Sequence, residues 1–112
     1  MSETQLVRSV LSYLSLRPDT QAWRCNSGKV FTVHPSRLCG RCKRKGYWLT
    51  LAPAGTPDII GYQDGGRFLG IECKTDEGKL REDQELWLHK AGNRGCQVMV
   101  AHSIDEVRGV LK

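Results

Sequence analysis

Asp58, Glu72 and Lys74 are the residues whose types and spacing suit chemistry in this sequence. Two runs of strand composition, residues 58–62 and 67–74, flank Asp64-Gly65-Gly66, a strong hairpin signal. Antiparallel pairing centred on Gly65 sets Asp58 opposite Glu72, and directly opposed residues have Cβ atoms roughly 4.5–5.5 Å apart. Lys74, two residues past Glu72, shares that face. Facing carboxylates destabilise a sheet, and a divalent cation between them reverses the sign. Mg²⁺ takes one or two carboxylates together with phosphate oxygens, leaving Lys74 to face a water or a phosphate. The chemistry this pattern suits is metal-assisted hydrolysis at phosphorus.

The elements around the hairpin must position these groups. Upstream, the stretch 52–57 is a tight loop set by Gly55, Pro53 and Pro57, and Pro57 keeps Thr56 extended. Ser2 and Gln5 form a capping-box pattern for a helix running to about Leu16, with Leu6, Val7, Val10, Leu11 and Leu14 as its apolar stripe. Glu3 lies in that helix's first turn, where the helix dipole alone favours an acid. Residues 21–25 read as a strand, 26–29 as a turn and 30–33 as a returning strand, with 47–51 another short strand. Past Lys74, a helix is predicted from about Arg81 to Ala91, with Gln84, Trp87, Leu88 and Ala91 on one face. The run 96–102 reads as a central strand buried on both faces. Ser103 and Glu106 form a capping box for a last helix in which Ile104, Val107, Val110 and Leu111 pack inward. His102, at a strand end, reads as structural.

The chain has 112 residues, 39% hydrophobic and 26% charged, which fits one soluble domain over 1–112. No apolar run approaches the ~20 residues of a membrane span, and the N-terminus lacks signal-peptide character. Five cysteines, an odd number, fit a reducing, cytoplasmic setting. The net charge is +5, and it is uneven: residues 17–46 carry eight basic side chains against Asp19 alone. A concentrated positive field is the footprint of a polyphosphate partner.

Much of that charge sits at about 34–46, which reads as an inserted loop bearing Arg37, Arg41, Lys43, Arg44 and Lys45. With Arg24, Asn26 and Lys29 these are the candidate nucleic-acid contacts. The loop also holds Cys39 and Cys42 in Cys-x2-Cys spacing. Cys25 and His34 are the residues near enough in sequence to complete a tetrahedral structural Zn²⁺ site. The alternative is a basic hairpin tip with free thiols.

Together, Glu3, Asn26-Ser27-Gly28, Gly55-Thr56-Pro57-Asp58-Ile59-Ile60, Ile71-Glu72-Cys73-Lys74 and Gln84 resemble, in order, the motifs of the VRR-NUC family of PD-(D/E)xK nucleases, in its small stand-alone bacterial and phage form. Cys25 departs from the family's Arg-Asn-Asn-Ser-Gly-like run. The resemblance implies a restriction-endonuclease-like α/β fold, a mixed sheet flanked by helices. It implies a Mg²⁺- or Mn²⁺-dependent DNA endonuclease selective for branched, flap or junction DNA, of the kind used in repair and recombination, working as a homodimer. Metal would be held by Asp58, Glu72, the Cys73 carbonyl and Glu3, with Lys74 and Gln84 completing the catalytic set. The alternative is a non-catalytic nucleic-acid-binding module with a zinc-stabilised basic loop, which leaves Asp58, Glu72 and Lys74 without a purpose.

Overall fold

A computed structural model describes residues 1–26, 28–33, 46–75 and 78–111. The elements in order are α1 (Glu3–Ser15), β1 (Thr20–Arg24), β2 (Gly28–Val33), β3 (Gly46–Ala52), β4 (Ile59–Gln63), β5 (Arg67–Cys73), α2 (Glu82–Asn93), β6 (Gln97–Ala101) and α3 (Ile104–Val110). A four-stranded mixed sheet has the order β1-β4-β5-β6, antiparallel except for the β5–β6 pair. β2 and β3 form a separate antiparallel pair.

α1 begins where the sequence predicts. The Ser2 hydroxyl accepts from the Gln5 N–H, and the Gln5 side chain accepts from the Ser2 N–H. A helix of this length is marginal alone; what holds it is the burial of Leu6, Val7, Val10 and Leu14. These meet Ile59, Leu69, Ile71, Cys73 and Ala101 from one face of the sheet and Val107 and Leu111 from the C-terminal segment. Each fully buried aliphatic side chain contributes about 1.5–3 kcal/mol relative to exposure, so this single layer carries most of the fold's apolar stabilisation.

The β4–β5 hairpin turns through Asp64–Gly66 with Gly65 and Gly66 at positive φ, and Gln63 pairs with Arg67, Ile59 with Ile71. That register is centred on Gly65. One rung beyond Ile59 and Ile71 stand Asp58 and Glu72.

Four expectations differ. The strand at 21–25 does not turn back onto the strand at 30–33; β1 pairs with β4, Arg24 opposite Ile59, and the Cys25 N–H continues the ladder to the Asp58 carbonyl at 2.7 Å. β2 instead finds β3. β6 is an edge strand, half-buried except for Ala101, rather than central. β4 already occupies one side of β5, so the crossover through α2 delivers β6 to the other; its apolar run reflects α2 and α3 packing on its faces. Val110 does not pack inward: it is 46% exposed while Leu111 is buried. Ser103 caps α3 by accepting from the Glu106 N–H, but the Glu106 carboxylate binds the His102 N–H and Nδ1 instead of closing a capping box.

The 34–45 stretch lies outside the described residues, so the zinc expectation for His34, Cys39 and Cys42 and the contacts expected of Arg37, Arg41, Lys43, Arg44 and Lys45 fall there. Among the described residues, no helix is long and apolar enough to cross a membrane.

Candidate functional site

The rung beyond Ile59–Ile71 is built by three elements. Asp58, half-buried, enters from the loop before β4; Glu72 and Lys74 come from the end of β5; Gln84 comes from the first turn of α2. Relative exposures of 2% for Glu72, 8% for Lys74 and 5% for Gln84 put three polar side chains inside the protein. Burial of such groups demands partners.

The partners are specific. Asp58 Oδ2 accepts from the Cys73 backbone N–H at 3.0 Å, fixing the carboxylate against β5. Gln84 Nε2 donates to Glu72 Oε2 at 3.1 Å. Gln84 Oε1 in turn accepts from the Arg81 N–H at 2.9 Å, satisfying an otherwise orphaned donor at the helix start. Gln84 thus links the helix N-terminus to the carboxylate. Lys74 Nζ lies 3.8 Å from the same Glu72 oxygen, and the Lys74 N–H continues the ladder to the Ala101 carbonyl. Glu72 Oε1 is the buried side-chain atom without a hydrogen-bond partner among the described residues.

Electrostatics follow from this packing. Burial foremost, then the charge of Asp58 and the hydrogen bond Asp58 offers the protonated form, push the Glu72 carboxyl up to about 8 against the opposing pull of Lys74. Burial foremost, then the nearby charges of Asp58, Glu72 and Glu3, push the Cys73 thiol up to about 12. Burial, and secondarily the charge of Asp58, also raise the Cys25 thiol.

Glu3, exposed at the start of α1, reaches the same region: its Oε2 and the Lys74 Cδ stand 3.1 and 3.3 Å from where a Cβ on Gly78 would be. The glycine leaves room for both. Arg24 and Asn26 are exposed at the end of β1, beside the Asp58 strand, and Lys29 falls in β2. Among the described residues, no three His, Cys, Asp or Glu side chains gather closely enough to surround a metal ion by themselves. Cys25 is a free, half-buried thiol.

Sequence reasoning missed two supports. Arg81 supplies the N–H that orients Gln84, and the Arg81-x-x-Gln84 spacing before the helix was the readable signal. Gly55, at φ 92°, lies against the Asp83 carbonyl so closely that any side chain would collide with it. It presses the Asp58 loop onto the start of α2, bringing the two halves of the site together.

The comparisons agree with this architecture. The sequence matches the VRR-NUC domain over residues 3–105. A solved structure described as a VRR_NUC domain protein is similar in fold, with a TM-score of 0.56 and 20% identity, over 99% of this chain and 85% of that one. No curated protein matches. The matched span begins at Glu3 and takes in both carboxylates, Lys74 and Gln84, and the sheet is the restriction-endonuclease-like one; the chain belongs to the VRR-NUC family of nucleases.

Proposed function

We propose that the protein is a divalent-metal-dependent DNA endonuclease that selects branched, flap or junction DNA. The observation that carries the reading is Glu72: a buried carboxyl held beside Asp58, one oxygen unpartnered, its pKa pushed up to about 8. Such a group is poorly placed as an anion unless a proton or a cation compensates it.

The donor set fits Mg²⁺ or Mn²⁺, which take one or two carboxylates and fill the remaining positions with water and phosphate oxygens. Asp58 and Glu72 would hold the ion, joined by the Cys73 carbonyl, with Glu3 contributing directly or through water. When bound, the ion supplies polarisation of the scissile phosphate and a lowered pKa for the attacking water. The protein's own groups prepare this. The Cys73 N–H engages one Asp58 oxygen and Gln84 one Glu72 oxygen, which fixes both carboxylates and leaves the second oxygen of Glu72 without a donor among the described residues. Lys74, its ammonium beside Glu72, orients the water or stabilises the charge building on phosphate. Arg24, Asn26, Lys29 and the basic residues of 37–45 would grip backbone phosphates.

A domain of this size has one such site, and symmetric cutting of two strands calls for two sites related by a two-fold axis. The working form is therefore a homodimer; sedimentation of a monodisperse monomer at working concentration would count against it.

The test is cleavage of matched duplex, flap, splayed-arm and four-way-junction DNA in Mg²⁺, Mn²⁺ or EDTA, comparing wild type with Asp58→Ala and Lys74→Ala. The expected result is metal-dependent cutting, strongest on one branched substrate and lost in both variants. Binding without cutting, unchanged in the variants, would sink the catalytic reading.

A further inference from the structure

Side chains alternate along a strand, so Asp58, Ile60 and Tyr62 share one face of the sheet. Gly70 pairs with Ile60 and Phe68 with Tyr62, which puts Glu72, Gly70 and Phe68 on that face too. Trp23, paired with Ile60 from β1, joins them. The opposite face is the core. On this face Trp87 of α2 and Pro57 both cover Gly70, standing 3.1 and 3.2 Å from where its Cβ would be. The rest lies open: Trp23 is 44%, Tyr62 53% and Phe68 36% exposed. The rings are organised. Trp23 meets Tyr62 edge-on at 6.2 Å between centroids, and Phe68 meets Trp87 at 6.1 Å. Phe68 and Trp87 also floor a cavity of about 310 Å³ whose other lining includes Lys90 and Arg94 and, among the described residues, no carboxylate.

We propose that this aromatic face binds unpaired bases of the DNA strand that leads to the scissile phosphate, a reading that rests on DNA being the substrate. Tyr62 and Phe68 stand four residues from the Asp58–Glu72 rung, about 13 Å along the strands, and Trp23 and Gly70, which Trp87 covers, share the rung two residues out, so the rings lie across the sheet between the carboxylates and the hairpin turn. Exposed rings bordered by cations form a stacking platform with an electrostatic guide, tolerant of base identity because every base has a flat face. A second copy of the chain is a poorer occupant. In a two-fold contact the patch would meet itself, bringing Lys90 and Arg94 toward their own counterparts with no carboxylate from this cavity to offset them. Nucleotides supply both the rings and the negative charge. The platform also supplies a physical reason for choosing flaps and splayed arms over matched duplex, whose bases are already stacked.

The test reads binding in EDTA, so its outcome does not depend on whether the protein cuts. Fluorescence anisotropy would compare a labelled oligothymidine with a blunt duplex for wild type, Trp23→Ala, Tyr62→Ala and Trp23→Phe, with circular dichroism to verify folding. Loss of one stacking ring should weaken oligothymidine binding roughly 5- to 150-fold, well beyond any change for duplex. Trp23→Phe should keep most of the affinity. Wild-type tryptophan fluorescence should be quenched by oligothymidine. Unchanged single-strand affinity in both alanine variants would overturn the proposal. So would a drop in sedimented mass in those variants with single-strand binding intact, which would assign the face to contact between copies.

Discussion

Replacing Glu72 by glutamine should make the metal-free protein more stable at alkaline pH. Glu72 is 2% exposed, and its carboxyl is raised from an ordinary 4.5 to about 8, chiefly by burial and by Asp58. A folded pKa above the unfolded one means that the folded state binds the extra proton. Stability is therefore lost as pH rises from the unfolded value through the folded one, and the full penalty stands above about 8. The shift corresponds to a ceiling of roughly 5 kcal/mol at about 1.4 kcal/mol per pKa unit, a large share of the 5–15 kcal/mol that holds a domain together. Glutamine keeps the shape, can still accept from Gln84 Nε2, and places an N–H₂ where the unpartnered Oε1 stood, removing the charge beside Asp58. Thermal and urea unfolding in EDTA would be followed between pH 4 and 9 for both proteins. The quantity that matters is their difference, since other titrating groups cancel in it. It should be small below the unfolded pKa and grow up to pH 8; half the ceiling would separate the melting temperatures by about 10 °C. A difference that stays flat across this range, or a variant less stable than wild type at pH 8, would refute the account of Glu72 as a penalised anion.

Other predictions concern neighbouring groups. Mg²⁺ or Mn²⁺ at about a hundred times its dissociation constant should stabilise wild type by about 2.7 kcal/mol at pH 8, and calorimetry should find no such gain in Asp58→Ala. Gln84→Ala should cost about 1–3 kcal/mol, because it strips partners from a buried carboxylate and a helix-start N–H; chemical denaturation would show it, and no loss would mean water takes over both bonds. Loss of that donor should also raise Glu72 further, moving the pH dependence of stability upward. Cys73, fully buried with its thiol near 12, should resist alkylation at pH 8 in the folded protein while half-buried Cys96 reacts. Mass spectrometry after brief iodoacetamide treatment would reveal the reverse order if it occurs.

What could be read from the chain was mostly local. The first helix was visible because its start signal and its apolar stripe both lie within a few turns. The β4–β5 register was visible because a Gly-Gly turn fixes the pairing of everything that follows it, which brings Asp58 and Glu72 to one rung. Pairings between distant segments were not visible. β1 finding β4, and β2 finding β3, depends on which strand edges are free after the hairpin forms, and composition does not record that. The run 96–102 misled for a related reason: helices cover its faces, so it looks central although, among the described residues, its outer edge is unpaired in the sheet. At the site, a carboxylate pair and an adjacent lysine were readable as chemistry. The contact of Gly55 with the Asp83 backbone was not, since a glycine between prolines reads as turn chemistry until its neighbour in space is known.

Arg24 and Ile59 face each other across the ladder, and the Cys25 N–H reaches the Asp58 carbonyl. The chain thus departs from the sheet and rejoins it on the same rung. The described residues between them carry the separate β2–β3 pair, and the β1–β4 register is set on this one rung whatever the length of the intervening chain. The last residues before Asp58 are held more tightly, because Gly55 is pinned to α2 and Pro57 packs on Gly70. The spacing from Gly55 to Asp58 is thereby fixed to the residue, since a residue gained or lost within it would part the loop from α2 or the carboxylate from its rung.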